Sequence, residues 1–280
     1  MSNVQNMSDL MSYSSNSSCP ICHGLGYVFP QITNEFTKQV YGDERLIEFS
    51  KPCSYCNGGH AQKVRERKER ANIPSSFYTS SINDFIWDLY KDNHGNIINT
   101  SKQRQIVESF IDKFDTWQKR GVGLYIYSKM RGSGKTYLAS CICNSLINKY
   151  PMNTKFVSAS ELIDIQKKGL NTGTEYDVDP IKLLCDCKLL VIDDLGQKQS
   201  GADWTNDILF RIFDNRYQEK LITVITSNIP ILDLSLDDRV VDRINSMCSP
   251  LPLPEFCVRS REAKNNQIQL FRELGLIKEA

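Results

Sequence analysis

From position 105 onward, the chain alternates between two hydrophobic rhythms. Over 105–119, Ile106, Phe110, Ile111, Phe114 and Trp117 recur near a 3.6-residue period, which predicts one amphipathic helix. The run Gly123-Leu-Tyr-Ile-Tyr127 is short and apolar and leads into a glycine-rich turn, the pattern of a buried strand. A helix over 135–149 is predicted next, then a strand over 155–157, a helix over 159–168, a strand over 189–192, a helix over 204–218 and a strand over 221–225. Short apolar strands alternating with helices imply an α/β fold, a parallel sheet between helical layers. No internal repeat is visible.

The first part of the chain has neither rhythm. Positions 1–18 combine Ser, Asn and Met without periodicity and predict a disordered tail. Positions 19–60 are rich in glycine and turn residues, lie between two cysteine pairs, and hold too little material for a core of their own, so a metal has to supply the missing stability. Over 61–72, Lys63, Arg65, Arg67, Lys68 and Arg70 alternate with Glu66 and Glu69, which predicts a solvated linker helix or one that touches DNA phosphates or a partner. Ile73-Pro74 is expected to stop that helix, because proline disfavours α geometry in the residue before it. A second domain then occupies 73–280.

Composition narrows the classes of function. With 280 residues, 40% hydrophobic and 24% charged, the chain is long enough for about two folded domains and too apolar for wholesale disorder. A formal charge of +1 argues against coating nucleic acid by bulk electrostatics, so any polyanion has to be held locally. No apolar signal segment opens the chain and no stretch approaches the ~18 apolar residues of a spanning helix. The expected location is the cytoplasm, with no membrane partner. The ten cysteines suit that compartment if four bind metal and the others are reduced core thiols.

Gly132-Ser-Gly-Lys-Thr136 follows a predicted strand and opens a predicted helix, the context of a phosphate-binding loop. Gly132 and Gly134 let backbone N–H groups turn inward around phosphate oxygens, and the helix adds its positive N-terminal end. Lys135 is placed to reach the β- and γ-phosphates, and the Thr136 hydroxyl to ligate magnesium. Gly132, Ser133, Gly134, Lys135, Thr136 and Tyr137 are thus the candidate nucleotide-binding residues. The full loop pattern would have a glycine where this chain has Lys129, a cation placed either over solvent or against nucleotide.

Further on, Leu189-Leu-Val-Ile-Asp-Asp194 is an apolar strand ending in two acids. Asp193 is expected to hold magnesium through water and Asp194 to polarise an attacking water. The strand over 221–225 runs into Thr226-Ser227-Asn228, where polar side chains meet ligand in an open sheet, and Asn228 is the candidate sensor of the γ-phosphate. In Asp237-Asp-Arg-Val-Val-Asp-Arg243, Arg239 and Arg243 share a helix face. Either an arginine there reaches a neighbouring subunit's nucleotide, or both form a ladder with Asp238 and Asp242. Arg259 and Arg261, at the start of a last helix, could return to the phosphates in cis.

Cys19-Pro-Ile-Cys22 and Cys53-Ser-Tyr-Cys56 are separated by thirty residues. Four thiolates suit tetrahedral zinc with Zn–S near ~2.3 Å, a closed structural shell with no open position. His23 and His60 lie close enough to replace a cysteine, and a redox dithiol is the other reading of such pairs.

The order of these motifs, from Ile73-Pro74 through Gly132–Thr136, Leu-Leu-Val-Ile-Asp-Asp-Leu-Gly196 and Thr-Ser-Asn228 to Asp-Arg-Val-Val-Asp-Arg243, resembles the AAA+ ATPases of the DnaC/DnaI type, which load replicative helicases. The resemblance covers about 73–261. It implies a P-loop AAA+ three-layer fold with a minimal lid, behind a small zinc-binding domain. It implies ATP with magnesium on Lys135, Thr136 and Asp193, hydrolysis served by Asp193 and Asp194, Asn228 as sensor 1, Arg243 as an arginine finger and Arg259 as the sensor 2 arginine. As partners it implies a hexameric helicase of DnaB type, single-stranded DNA and a nucleotide-dependent oligomer of the chain itself. The Cys-x-x-Cys-x-Gly-x-Gly start is similar to the region that docks such loaders on the helicase. Lys167 and Lys168 sit where a DNA-facing element could fall. Two other functions fit the same motifs: an IstB-like transposition helper, and an ATP-gated adaptor that does not hydrolyse.

Overall fold

The computed structural model describes residues 21, 27–28, 51–53, 60–169, 179–196, 202–259, 267–268 and 270–271. The expected tail, Cys19, Cys22, His23, Cys56, Arg261 and the lid lie outside these residues, as do the side chains of His60, Lys167 and Lys168. The chain divides into two compact units, 1–67 and 68–280. In the first, β1 (Tyr27–Val28) pairs antiparallel with β2 (Lys51–Pro52), and Cys53 after it is buried. Among the described residues no group of three or more His, Cys, Asp or Glu could hold a metal, and none of the helices is long and apolar enough to cross a membrane.

Helix α1 (His60–Ala71) ends one residue before the stop expected from the proline. Asn72 adopts a left-handed φ of 61°, which terminates the helix before Ile73-Pro74 is reached. The single helix expected over 105–119 is two, α2 (Ser101–Asp112) and α3 (Phe114–Arg120), broken at Lys113. Phe110 still packs edge-on against Phe114 and Trp117 across the break, so the hydrophobic period runs on and hides the interruption.

The second unit is built on five parallel strands: β3 (Gly123–Tyr127), β4 (Thr154–Ser158), β5 (Leu189–Leu195), β6 (Ile222–Ser227) and β7 (Cys248–Pro252), in the order β4-β5-β6-β3-β7. Between them run α4 (Lys135–Lys149), α5 (Ala159–Gly169), α6 (Pro180–Asp186), α7 (Ala202–Gln218) and α8 (Asp238–Met247). The expected α/β architecture with a parallel central sheet is what the chain adopts. The inner strands read as continuous apolar runs because both faces are covered: Leu189, Leu190, Val191 and Ile192 are all buried, Leu190 and Ile192 in one cluster with Ile212, Phe213 and Ile244. β7 and α6 went unpredicted. Pro250 and Pro252 argue against a strand, yet β7 pairs with β3 alone, and an edge tolerates residues that lack an N–H.

The chain leaves β3 in one direction along the sheet and returns to its other side as β7. The carboxyl ends of β3, β6 and β5 therefore open onto a crevice where an open sheet binds ligand.

Candidate active site

A cleft of about 560 Å³ lies at that crevice, lined by the Gly132–Tyr137 segment, Asp194, Asn228 and Arg259, with Ser76 and Phe77 along another wall. Its floor is the turn after β3. Gly132 and Gly134 have φ of 74° and 91°, geometry that L side chains rarely adopt, and Gly134 is the N-cap of α4. A Cβ on Gly132 would lie 2.9 Å from Cys257 Sγ and 3.1 Å from Arg259 Cβ. The 253–259 segment is thus packed directly on the loop, and the Arg259 N–H donates to the Gly132 carbonyl at 3.2 Å.

Lys135 is buried. Its ammonium donates to the carbonyls of Ser128 (3.2 Å) and Met130 (3.0 Å) and to Ser133 Oγ (3.1 Å). Burial holds its basicity below the usual lysine value, and the carboxylates of Asp194 and Asp193 oppose that shift. Thr136 Oγ1 donates across the cleft to Asp193, with Oδ1 at 2.9 Å and Oδ2 at 3.1 Å. Thr226 Oγ1 also donates to Asp193 Oδ1, at 2.6 Å. Burial raises the Asp193 carboxyl above the usual carboxylate range, against the lowering effect of those two hydroxyls. Asn228 Nδ2 donates to Asp194 Oδ1 at 2.9 Å.

The structure therefore gathers the glycine-lysine-threonine turn, both acids, Asn228 and Arg259 in one place. Tyr137 lines the cleft between Phe77 (ring centroids 5.3 Å apart) and Phe85 (5.9 Å, stacked). Lys129 is exposed, as are Met130 and Arg131 after it, while Ser128 before it is buried. Arg243 is not brought to this cleft within its own chain: its Nε donates to Asp214 on α7 at 2.9 Å, and the guanidinium lies over the Tyr217 ring at 5.0 Å. The expected ladder with Asp238 and Asp242 is also corrected. Arg243 reaches Asp242 at 3.4 Å, but its shorter bond is to the neighbouring helix, and Arg239 turns back to Asp237 and over Phe210.

The pattern of residues 73–90 does not itself announce the wall that this segment contributes. That segment has no periodicity, only three short 3-10 turns at Ser75–Phe77, Ile82–Asp84 and Trp87–Leu89. It is tied down from α4, where Asn144 Nδ2 donates to the carbonyls of Phe77 and Ser80, both at 2.8 Å, and Ser145 Oγ accepts from Ile82 N at 3.2 Å. The buried Tyr90 hydroxyl donates to the Ser133 carbonyl at 2.9 Å, inside the loop itself. An asparagine and a serine in mid-helix were the available signal, since polar groups buried in a helix need partners elsewhere.

The arrangement fits a nucleotide with a divalent cation. A backbone cradle at a helix N-terminus, the Lys135 ammonium beside it and two arginines at the rim (Arg131 and Arg259) face the Thr136 hydroxyl and two carboxylates, cations toward phosphate and oxygens toward metal.

No family model matches the chain. In sequence it is 26% identical over 209 residues to the replicative helicase loader DnaC of Escherichia coli strain K12, an alignment that takes in 72% of this chain and 80% of that protein. In fold it is similar to the crystal structure of DnaI, with a TM-score of 0.53 and 26% identity over 65% of this chain and 95% of that one. The crystal structure of the DnaC helicase loader superimposes with a TM-score of 0.54 over 65% of this chain and 100% of that one; at 23% identity it speaks for the fold. The resemblance carried by the motifs thus holds in sequence and in fold together: the chain is similar to the DnaC and DnaI helicase loaders in both.

Proposed function

We propose that this protein is an ATP-dependent loader of a hexameric, DnaB-type replicative helicase onto single-stranded DNA at the initiation of replication. The observation that carries the reading is the meeting of Thr136, Asp193 and Asn228 with Lys135 at one cleft, in a chain whose relatives bear the name of replicative helicase loader. Gly132 to Tyr137 hold the triphosphate, with Lys135 releasing its carbonyl partners for phosphate oxygens. Thr136 and Asp193 hold magnesium, which when bound neutralises charge developing on the phosphates. Asp194 is the base that orients water, and Asn228, bonded to it, reports the γ-phosphate. Arg259 closes the cleft in cis. Arg243, half-buried beside Tyr217, serves a neighbouring subunit in a nucleotide-dependent oligomer. Hydrolysis is slow and stimulated by single-stranded DNA. The four cysteines Cys19, Cys22, Cys53 and Cys56 bind one structural zinc in a domain that docks on the helicase, and the protein works in the cytoplasm.

The test is capture of a helicase by the purified full-length chain. With ATP and magnesium it should retain a hexameric helicase from its native cytosol and hydrolyse ATP faster when single-stranded DNA is added, while the Lys135→Ala chain does neither. Retention of a transposase instead would overturn the reading. Metal analysis of the same preparation should find about one zinc per chain; a folded, metal-free preparation would remove the zinc assignment alone.

A further inference from the structure

Two adjacent residues of a strand point to opposite faces of the sheet, yet Asp193 and Asp194 both address the cleft. Asp193 meets Thr136, and Asp194 lines the cavity and meets Asn228. The backbone accounts for this. The register of β5 on β6 runs evenly to Ile192 opposite Ile225 and resumes at Leu195 opposite Ser227, three steps on one strand against two on the other. The extra residue makes a bulge, and Asp194 takes a left-handed φ of 60° within it. Bulges re-aim side chains beside active sites, and here the effect is to let neighbouring acids share one site.

A bulge removes a backbone N–H from the ladder, and a non-glycine residue at positive φ is strained. Both liabilities fall on Asp194, and the unpaired N–H is met by one side chain. The Asp194 N–H donates to Thr226 Oγ1 at 2.9 Å, and the same hydroxyl donates its proton to Asp193 Oδ1 at 2.6 Å. Thr226 is buried, and its hydroxyl is used in both directions, as acceptor for one acid's backbone and donor to the other's carboxylate. Ser227, the next residue, accepts from Ile229 N and donates to the Leu195 carbonyl at 2.7 Å, fixing the strand just past the bulge.

The geometry points to Thr226 as the positioning residue of the acid pair: its hydroxyl sets the bulge that turns Asp194 into the cleft and orients the Asp193 carboxylate for a divalent cation. The inference rests on the proposed nucleotide-magnesium reading of the cleft and adds to it a residue that touches neither nucleotide nor metal. Thr136 also bonds to Asp193, but its oxygen is committed to the cation when one is present, whereas Thr226 has no other task. Residues that orient metal ligands in this way change metal affinity by about 10–100-fold when altered.

Thr226→Val keeps the shape and removes the hydroxyl, and Thr226→Ser keeps the hydroxyl. The measurement is the binding of a fluorescent ATP analogue to the full-length chain, first in EDTA and then as magnesium is titrated, with hydrolysis followed in parallel. The Val chain should bind the analogue in EDTA within about twofold of the parent, require about tenfold more magnesium to reach the tightened state, and hydrolyse ATP at least tenfold more slowly; the Ser chain should recover all three to within about threefold. A Val chain with the parent's magnesium midpoint, or a Ser chain as impaired as Val, overturns the role of Thr226 and leaves the nucleotide site standing. A parent that binds no analogue with or without magnesium overturns the nucleotide reading and this inference together. If circular dichroism shows the Val chain unfolded, Thr226→Ala carries the same expectations and the same overturning results.

Discussion

Two cations are buried at opposite ends of the same sheet, and they are treated in opposite ways. At the carboxyl end, Lys135 spends its three donors on two carbonyls and a hydroxyl, with two carboxylates near enough to raise its basicity. At the amino end, Arg216 on α7 is wholly buried. Its guanidinium donates to the carbonyls of Leu184 (2.8 Å), Cys187 (2.7 Å) and Ile222 (2.6 Å) and to Thr223 Oγ1 (2.9 Å). Those partners belong to the end of α6, the approach to β5 and the start of β6, so one side chain ties three elements together. Burial lowers the basicity of both groups. The difference lies in what the partners leave open. Arg216 sits in a closed shell of carbonyls with no route to a ligand, whereas the lysine faces a cleft, and its bonds to loop carbonyls can be exchanged for bonds to an anion. Depth of burial does not separate a structural cation from a functional one; access and replaceable partners do.

The comparison breaks most visibly at the arginine. Arg216→Ala leaves several buried carbonyls without a donor, each worth about 1–3 kcal/mol, and should destabilise the chain by roughly 4 kcal/mol in urea unfolding. Arg216→Lys should recover little of that, because an ammonium has three donors and lacks the planar fork that spans α6 and β6. A loss below about 1 kcal/mol for the alanine variant would mean that water replaces the guanidinium, and the contrast with Lys135 would fail.

At the other end the same kind of truncation should separate stability from binding. Lys135→Ala removes a cation whose burial disfavours its charge, so the nucleotide-free chain should unfold within about 1 kcal/mol of the parent. Affinity for ATP with magnesium should nevertheless fall by more than about tenfold, a loss of one charge-assisted contact to phosphate. Calorimetric titration checks the second quantity and a urea melt the first. A lysine variant as unstable as the arginine variant would show that Lys135 holds the loop rather than waits for a ligand.

Lys135 was legible in the sequence and Arg216 was not, for a physical reason. The phosphate loop is local: glycines, lysine and threonine at fixed spacing between a strand and a helix, all within Gly132 to Thr136. Asp193, Asp194 and Asn228 announced themselves as polar residues at the ends of apolar strands. Arg216 lies near the end of a helix among Asp214, Tyr217 and Gln218, a pattern that reads as a solvated turn, and only the return of β6 beneath it makes it buried. Tyr90 and Asn144 act across 43 and 67 residues, so neither has a local signature. The bulge at Asp194 escaped because a positive φ at a non-glycine residue leaves no compositional trace. Thr226 was visible as part of a polar strand end without a task of its own. The strand order followed from none of these, since parallel strands separated by helices are compatible with several arrangements.

The smallest effect sharpens the carboxylate side of the same contrast. Asp193 has a folded-state pKa above its unfolded one, chiefly because it is buried, so its ionised form is disfavoured by folding when no cation is bound. The sign follows from linkage: the folded state takes up a proton more readily, and stability falls as pH rises from the unfolded pKa through the folded one. Asp193→Asn removes that liability while its amide oxygen can still accept from Thr136 and Thr226. In the absence of nucleotide the Asn chain should therefore melt slightly above the parent at pH 8, and the gap should close as the pH is lowered below the ordinary aspartate range. With ATP and magnesium the order should reverse, because only the parent gains a metal ligand and the stabilisation that follows from binding. Melting curves at about pH 3, 6 and 8, with and without magnesium-ATP, measure both. An Asn chain that melts below the parent at every pH, even without ligand, would mean that the two threonine hydroxyls already compensate the buried charge, and that the acid, like Arg216, is held for the fold as much as for the metal.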